Sequence, residues 1–119
     1  MNGAFQAAGT HLLADLHGIP AGPLHDVLAI EALLRGAAEA AGARILHGHF
    51  HAFGPEQGVT GVLLLAESHI SIHTWPEAGF AAVDIFMCGA ARPQLALAHI
   101  EQALRPQTKQ VRAVARGLA

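Results

Sequence analysis

The chain carries one cysteine in 119 residues, Cys88. A lone cysteine excludes an internal disulfide and fits a reducing compartment, so the cytoplasm is the expected location. Charge is scarce as well. Asp, Glu, Lys and Arg make up 13% of the residues, which is little for the surface of a monomer. Part of the apolar surface is therefore expected to lie in an interface. Seven basic residues against nine acidic ones give a net charge of −2, and this leaves no basic footprint for nucleic acid. No apolar run is long enough to span a bilayer. The opening stretch MNGAFQAAGTHLLADL lacks the basic start and long apolar core of a signal peptide. Nucleic acid and membrane are thus not expected partners. With no internal repeat or linker, residues 1–119 read as one domain, long enough for a single core and small enough to gain from dimerisation.

The elements follow from periodicity and breakers. Thr10–Leu16 reads as a strand of mixed burial, broken by Gly18-Ile19-Pro20-Ala21-Gly22-Pro23. Asp26 is a plausible N-cap. Behind it Val27, Ile30, Leu33, Leu34, Ala37, Ala38 and Ala41 recur at helical spacing up to Gly42. Strands are expected at 44–53, 59–66, 70–75 and 80–87, with turns at Gly54–Gly58 and Pro76–Gly79. In the last of these strands Val83, Ile85 and Met87 alternate with Asp84 and Phe86. Pro93 suits the first turn of a second helix, 93–104, which Pro106 stops. Residues 110–115 read as a short final strand. Strands joined by short turns pair antiparallel. The expected fold is therefore α+β, a two-layer sandwich of an antiparallel sheet with two helices on one face.

The chemistry concentrates between Glu67 and Cys88. The Ser68 hydroxyl can attack the carbonyl of Glu67 and move the acyl group from nitrogen to oxygen. A base that takes the Cα proton of Ser68 then lets the ester eliminate. The dehydroalanine left behind hydrolyses to a pyruvoyl group. His73 is the candidate base and Thr60 offers a hydroxyl from the neighbouring strand. Ser68 and His73 sit at odd offset, so a bulge or bend near 69–72 is needed to bring them together. Taken singly, each residue has an ordinary structural reading, Cys88 for instance as a small buried hydrophobe.

A second pattern competes. His47, His49 and His51 alternate along one strand, as in H-x-H metal sites. No cysteine or carboxylate cluster completes a ligand set, so the sequence predicts no metal.

The run AESHISIHTWPE, Ala66–Glu77, followed by AAVDIFMCG, Ala81–Gly89, resembles the bacterial and archaeal S-adenosylmethionine decarboxylase proenzymes. The likeness extends more weakly through GTHLLADL, FHAFGPEQGVTGV and ARPQLALAHIEQAL. It implies cleavage between Glu67 and Ser68, giving a β chain of 1–67 and an α chain of 68–119. Ser68 matches the serine that becomes the pyruvoyl cofactor, and His73 the histidine of self-processing. Cys88 matches the cysteine that protonates the substrate carbon after CO₂ leaves. Glu77 resembles the glutamate that grips the ribose diol, and Phe53 and Trp75 match pocket aromatics. The resemblance implies an α+β sandwich, a homodimer of processed protomers and a role in polyamine biosynthesis. The substrate would be S-adenosylmethionine, or in divergent members of the family L-ornithine or L-arginine. A catalytically dead partner of an active paralogue is the remaining alternative.

Three departures touch the site. Thr60 stands where the family usually has serine. Ala78-Gly79-Phe80 replaces Tyr-Gly-Tyr, and this chain has no tyrosine at all. The turn Gly54–Gly58 is one residue longer than is typical.

Overall fold

A computed structural model describes residues 7–117. The opening stretch read for a signal peptide lies partly outside these residues. Among the described residues there are six strands: β1 (Ala8–His17), β2 (Ile45–Ala52), β3 (Val59–Leu65), β4 (Ser68–Trp75), β5 (Phe80–Cys88) and β6 (Thr108–Gly117). The helices are α1 (Ala21–Leu24), α2 (Val27–Ala41) and α3 (Pro93–Leu104). The strands form one antiparallel sheet in the order β2-β3-β4-β5-β1-β6. Helices α2 and α3 pack on each other and on one face of it, which is the expected α+β sandwich. Among the described residues, no helix is long and apolar enough to cross a membrane.

The expected caps are in place. Asp26 accepts a hydrogen bond from the Ala29 N–H at 3.1 Å, and Gly42 ends α2 in the left-handed conformation at φ 78°. Two short elements lie where only breakers were read, α1 and a 3-10 turn at Pro76–Ala78. Strand β4 also starts two residues earlier than the apolar pattern suggests, at Ser68.

Alternation divides the sheet cleanly. Leu12, Ala14 and Leu16 of β1, Ile70 and Ile72 of β4, and Val83, Ile85 and Met87 of β5 are buried. They face Ile30, Leu34, Ala37, Leu97 and Ile100 of the two helices in one core. Among the described residues the one buried polar side chain, Thr74, is fully used. Its hydroxyl donates to the Leu24 carbonyl at 2.7 Å and accepts from the Val59 N–H at 2.8 Å. That latch ties α1, β3 and β4 together beneath the pocket described below. Among the described residues, the opposite face carries no helix. It presents the intervening residues, among them His69, Ser71, His73 and Trp75 of β4.

Candidate active site

The residues singled out in the sequence gather at two ends of β4. At its start, Leu65 pairs with Ser68, so the turn between β3 and β4 holds only Ala66 and Glu67. A turn this tight needs a left-handed residue, and Glu67 supplies it at φ 56°. Glycine or asparagine would adopt that conformation more cheaply. The backbone is therefore strained at the residue before Ser68. Cys88, at the end of β5, reaches across to this turn. Its thiol donates to the Glu67 carbonyl oxygen at 2.9 Å, and its sulfur lies 3.9 Å from Ser68 Oγ. Three of the expected residues thus meet around one peptide bond. The thiol polarises the carbonyl that the Ser68 hydroxyl would attack.

At the far end, Thr60 and His73 pair directly across the β3–β4 ladder, with Thr60 Oγ1 3.1 Å from His73 Nδ1. They line a cavity of about 610 Å³ together with Phe53, Gly58, Trp75 and Glu77. The two aromatic side chains are available to a ligand, Phe53 being 58% exposed and Trp75 41% exposed. Between them lies Gly58, whose carbonyl accepts from the Phe53 N–H at 3.1 Å. A Cβ on Gly58 would run into the Thr74 carbonyl oxygen, so this position can hold only glycine. The cavity is thus a slot bordered by both aromatic side chains and floored in part by the Gly58 backbone.

The structure corrects one expectation. The bulge or bend near 69–72 is not there: the β4 ladders with β3 and β5 run in unbroken register from Ser68 to Trp75. His73 and Ser68 therefore stay on opposite faces of the sheet, five residues and about 16 Å apart. Within one chain they do not meet.

Sequence reasoning also missed Gly58, which looked like an ordinary turn residue, and His69, which sits on the open face between Phe86 and His11. Burial is the main cause that holds the His69 imidazole below its ordinary pKa of 6.5; nearby His11 adds to this and Asp84 opposes it. His47, His49 and His51 do share the open face of β2, opposite Leu64, Val62 and Thr60. Alternate strand residues lie about 7 Å apart, too far for three to grip one ion. Among the described residues, no three His, Cys, Asp or Glu side chains converge as metal ligands.

Comparison with known proteins bears on this arrangement. Residues 10–117 match the family described as S-adenosylmethionine decarboxylase. The S-adenosylmethionine decarboxylase proenzyme of Sulfurihydrogenibium sp. (strain YO3AOP1) is 44% identical over 111 residues, covering 92% of this chain and 83% of that one. The proenzyme of Methanococcus maripaludis is also 44% identical over 111 residues, covering 92% and 90%. The crystal structure of the adenosylmethionine decarboxylase from Aquifex aeolicus superposes with a TM-score of 0.88 at 40% identity, covering 96% and 94%.

Proposed function

The chain belongs to the S-adenosylmethionine decarboxylase family, and from that premise we propose that it cuts itself between Glu67 and Ser68 and then decarboxylates S-adenosylmethionine. The observation that carries this reading is the Cys88 thiol at 2.9 Å from the Glu67 carbonyl oxygen, at a strained turn one residue before Ser68. The similarity to proteins named for S-adenosylmethionine favours it over ornithine or arginine as substrate. A lone thiol that must stay reduced to work suits the cytoplasm.

Self-cleavage begins with attack of the Ser68 hydroxyl on the Glu67 carbonyl carbon. As that oxygen gains negative charge, the Cys88 S–H already points at it and stabilises it. The C–N bond breaks, the acyl group passes to oxygen, and Ser68 is left with a free amine and an ester. Removal of its Cα proton expels the Glu67 carboxylate as the new end of 1–67. Hydration of the remaining dehydroalanine and loss of ammonia leave a ketone at the head of 68–119. When present, this ketone supplies the electron sink for a departing α-carboxylate.

The His73 imidazole is the base. In the tautomer that donates Nδ1–H to Thr60 Oγ1, its Nε2 is free to accept a proton. Phe53 and Trp75 flank the slot that would take the purine, and Glu77 lies where it can accept from ribose hydroxyls. During turnover the Cys88 thiol returns a proton to the substrate carbon.

His73 and Ser68 of one chain stay apart, so the reading requires two copies. A homodimer that buries the open faces, with its two-fold axis between the ends of β4, would set Thr60 and His73 of one copy against the turn at Glu67 and Ser68 and the Cys88 thiol of the other, where the strands end and the sheet no longer separates its two faces. The low charge content and the exposed Trp75, Phe53 and Leu64 support burial of that face.

Co-expression of Ser68→Ala and His73→Ala chains tests this. Neither should cut alone. In the mixture the His73→Ala chain should be cut, because its Ser68 meets an intact His73 from the other copy. An uncut mixture would contradict the shared site, and cleavage of His73→Ala alone would place the base elsewhere.

A further inference from the structure

Phe80 and His17 lie outside the pocket cavity, yet they continue its wall. Trp75 on β4 stands directly opposite Phe80 on β5. Their rings stack with centroids 5.1 Å apart and planes within 22°. On its other side Phe80 stacks on His17 of β1 at 4.9 Å and 20°. The register that pairs Leu16 with Ala81 makes His17 the next residue along, beside Phe80. Three nearly parallel rings thus cross β4, β5 and β1 in one row. The row ends at Trp75, because the neighbouring position on the β3 side is Gly58, which carries no side chain. One indole face is covered by Phe80, and Trp75 lines the cavity together with Phe53.

We propose that Phe80 and His17 are positioning residues of the substrate pocket, stacking behind Trp75 so that its free face stays turned into the slot. This rests on the reading of that slot as the site of the adenosyl group. An unbacked indole rotates about two side-chain bonds and must be ordered by the ligand at a cost in affinity. A backed one is already in place. The backing acts equally on ground and transition states, so it sets KM rather than kcat.

The decisive variant is Phe80→Leu, which keeps apolar bulk and removes the ring. KM for S-adenosylmethionine should rise about three- to tenfold, the range an aromatic pair supplies, with kcat changed by less than about twofold. The extent of self-cleavage should not change. Trp75 is the only tryptophan, so time-resolved fluorescence anisotropy reports on it alone and should show faster local rotation. Phe80→Tyr should restore both KM and anisotropy, which a merely structural defect would not require. Should Phe80→Leu fail to fold, His17→Ala, at an exposed position, carries the same test with a smaller rise in KM. An unchanged KM and unchanged anisotropy in a folded, cleaved variant would overturn the proposal. A wild-type chain that fails to decarboxylate would instead overturn the functional reading, and the anisotropy would still decide whether the stack holds Trp75.

Discussion

The two faces of the sheet are built from the same strands and obey different rules. On β4, Ile70, Ile72 and Thr74 are buried against the helices, while His69, Ser71, His73 and Trp75 alternate with them on the open side. On β5, Val83, Ile85 and Met87 face in, and Phe80, Asp84 and Phe86 face out. Covered positions other than Thr74 are aliphatic and interchangeable within limits of volume. Open positions carry rings, imidazoles and hydroxyls whose chemistry decides what they do. The covered face specifies the fold. The open face, with the turn at Glu67, specifies the reaction. This division explains why so few residues bear on function in a chain so rich in aliphatics.

That contrast can be broken deliberately. The largest effect is expected at Cys88, beside the turn. Cys88→Ala should lower turnover by roughly a hundredfold or more, as expected for loss of a positioned proton donor. It should also slow self-cleavage, since the Glu67 carbonyl loses its donor, while leaving the unfolding midpoint nearly unchanged. CO₂ release and a cleavage time course measure the first two, and unchanged values for both would remove Cys88 from the mechanism. The covered face should answer in the opposite way. Ile85→Ala should cost about 2–5 kcal/mol in urea unfolding, through lost burial and a cavity. His73→Ala should cost less than about 1 kcal/mol in the same assay, because its side chain is exposed within the single protomer. Equal costs would mean that the open face also holds the protomer together.

The smallest expected effect is a pH dependence at His69. The fold holds this imidazole neutral, chiefly by burial, with its pKa below the ordinary 6.5. The unfolded chain binds the proton more readily. The stability His69 contributes is therefore complete above pH 6.5 and is lost as pH falls through the lowered value. His69→Gln should lose less stability than the parent between about pH 7.5 and about pH 5. An equal loss would assign the acid sensitivity to other groups.

Much of this was legible in the sequence. The period of the apolar residues marks α2, and Asp26 and Gly42 cap it as their chemistry requires. Alternation marks β5 to within a residue. Glu67, Ser68 and Cys88 stand out in the sequence and meet in space. What stayed hidden depends on register between strands distant in the chain. Nothing local says that β1 inserts between β5 and β6, or that His17 therefore lies beside Phe80. The tight turn at Glu67 could not be anticipated from a glutamate, which rarely adopts a left-handed conformation. The separation of His73 from Ser68 follows from an unbroken ladder, and whether a strand bulges is set by its neighbours rather than by its own residues.

Rupture of the bond between Glu67 and Ser68 is the step on which the proposed chemistry depends. Intact mass analysis of fully matured protein, with and without borohydride, tests it directly. Two fragments are expected, residues 1–67 and a 68–119 chain lacking a free amine, the latter gaining mass on reduction of its ketone. A single unbroken chain, or a fragment beginning with an unmodified serine that borohydride leaves untouched, would contradict it.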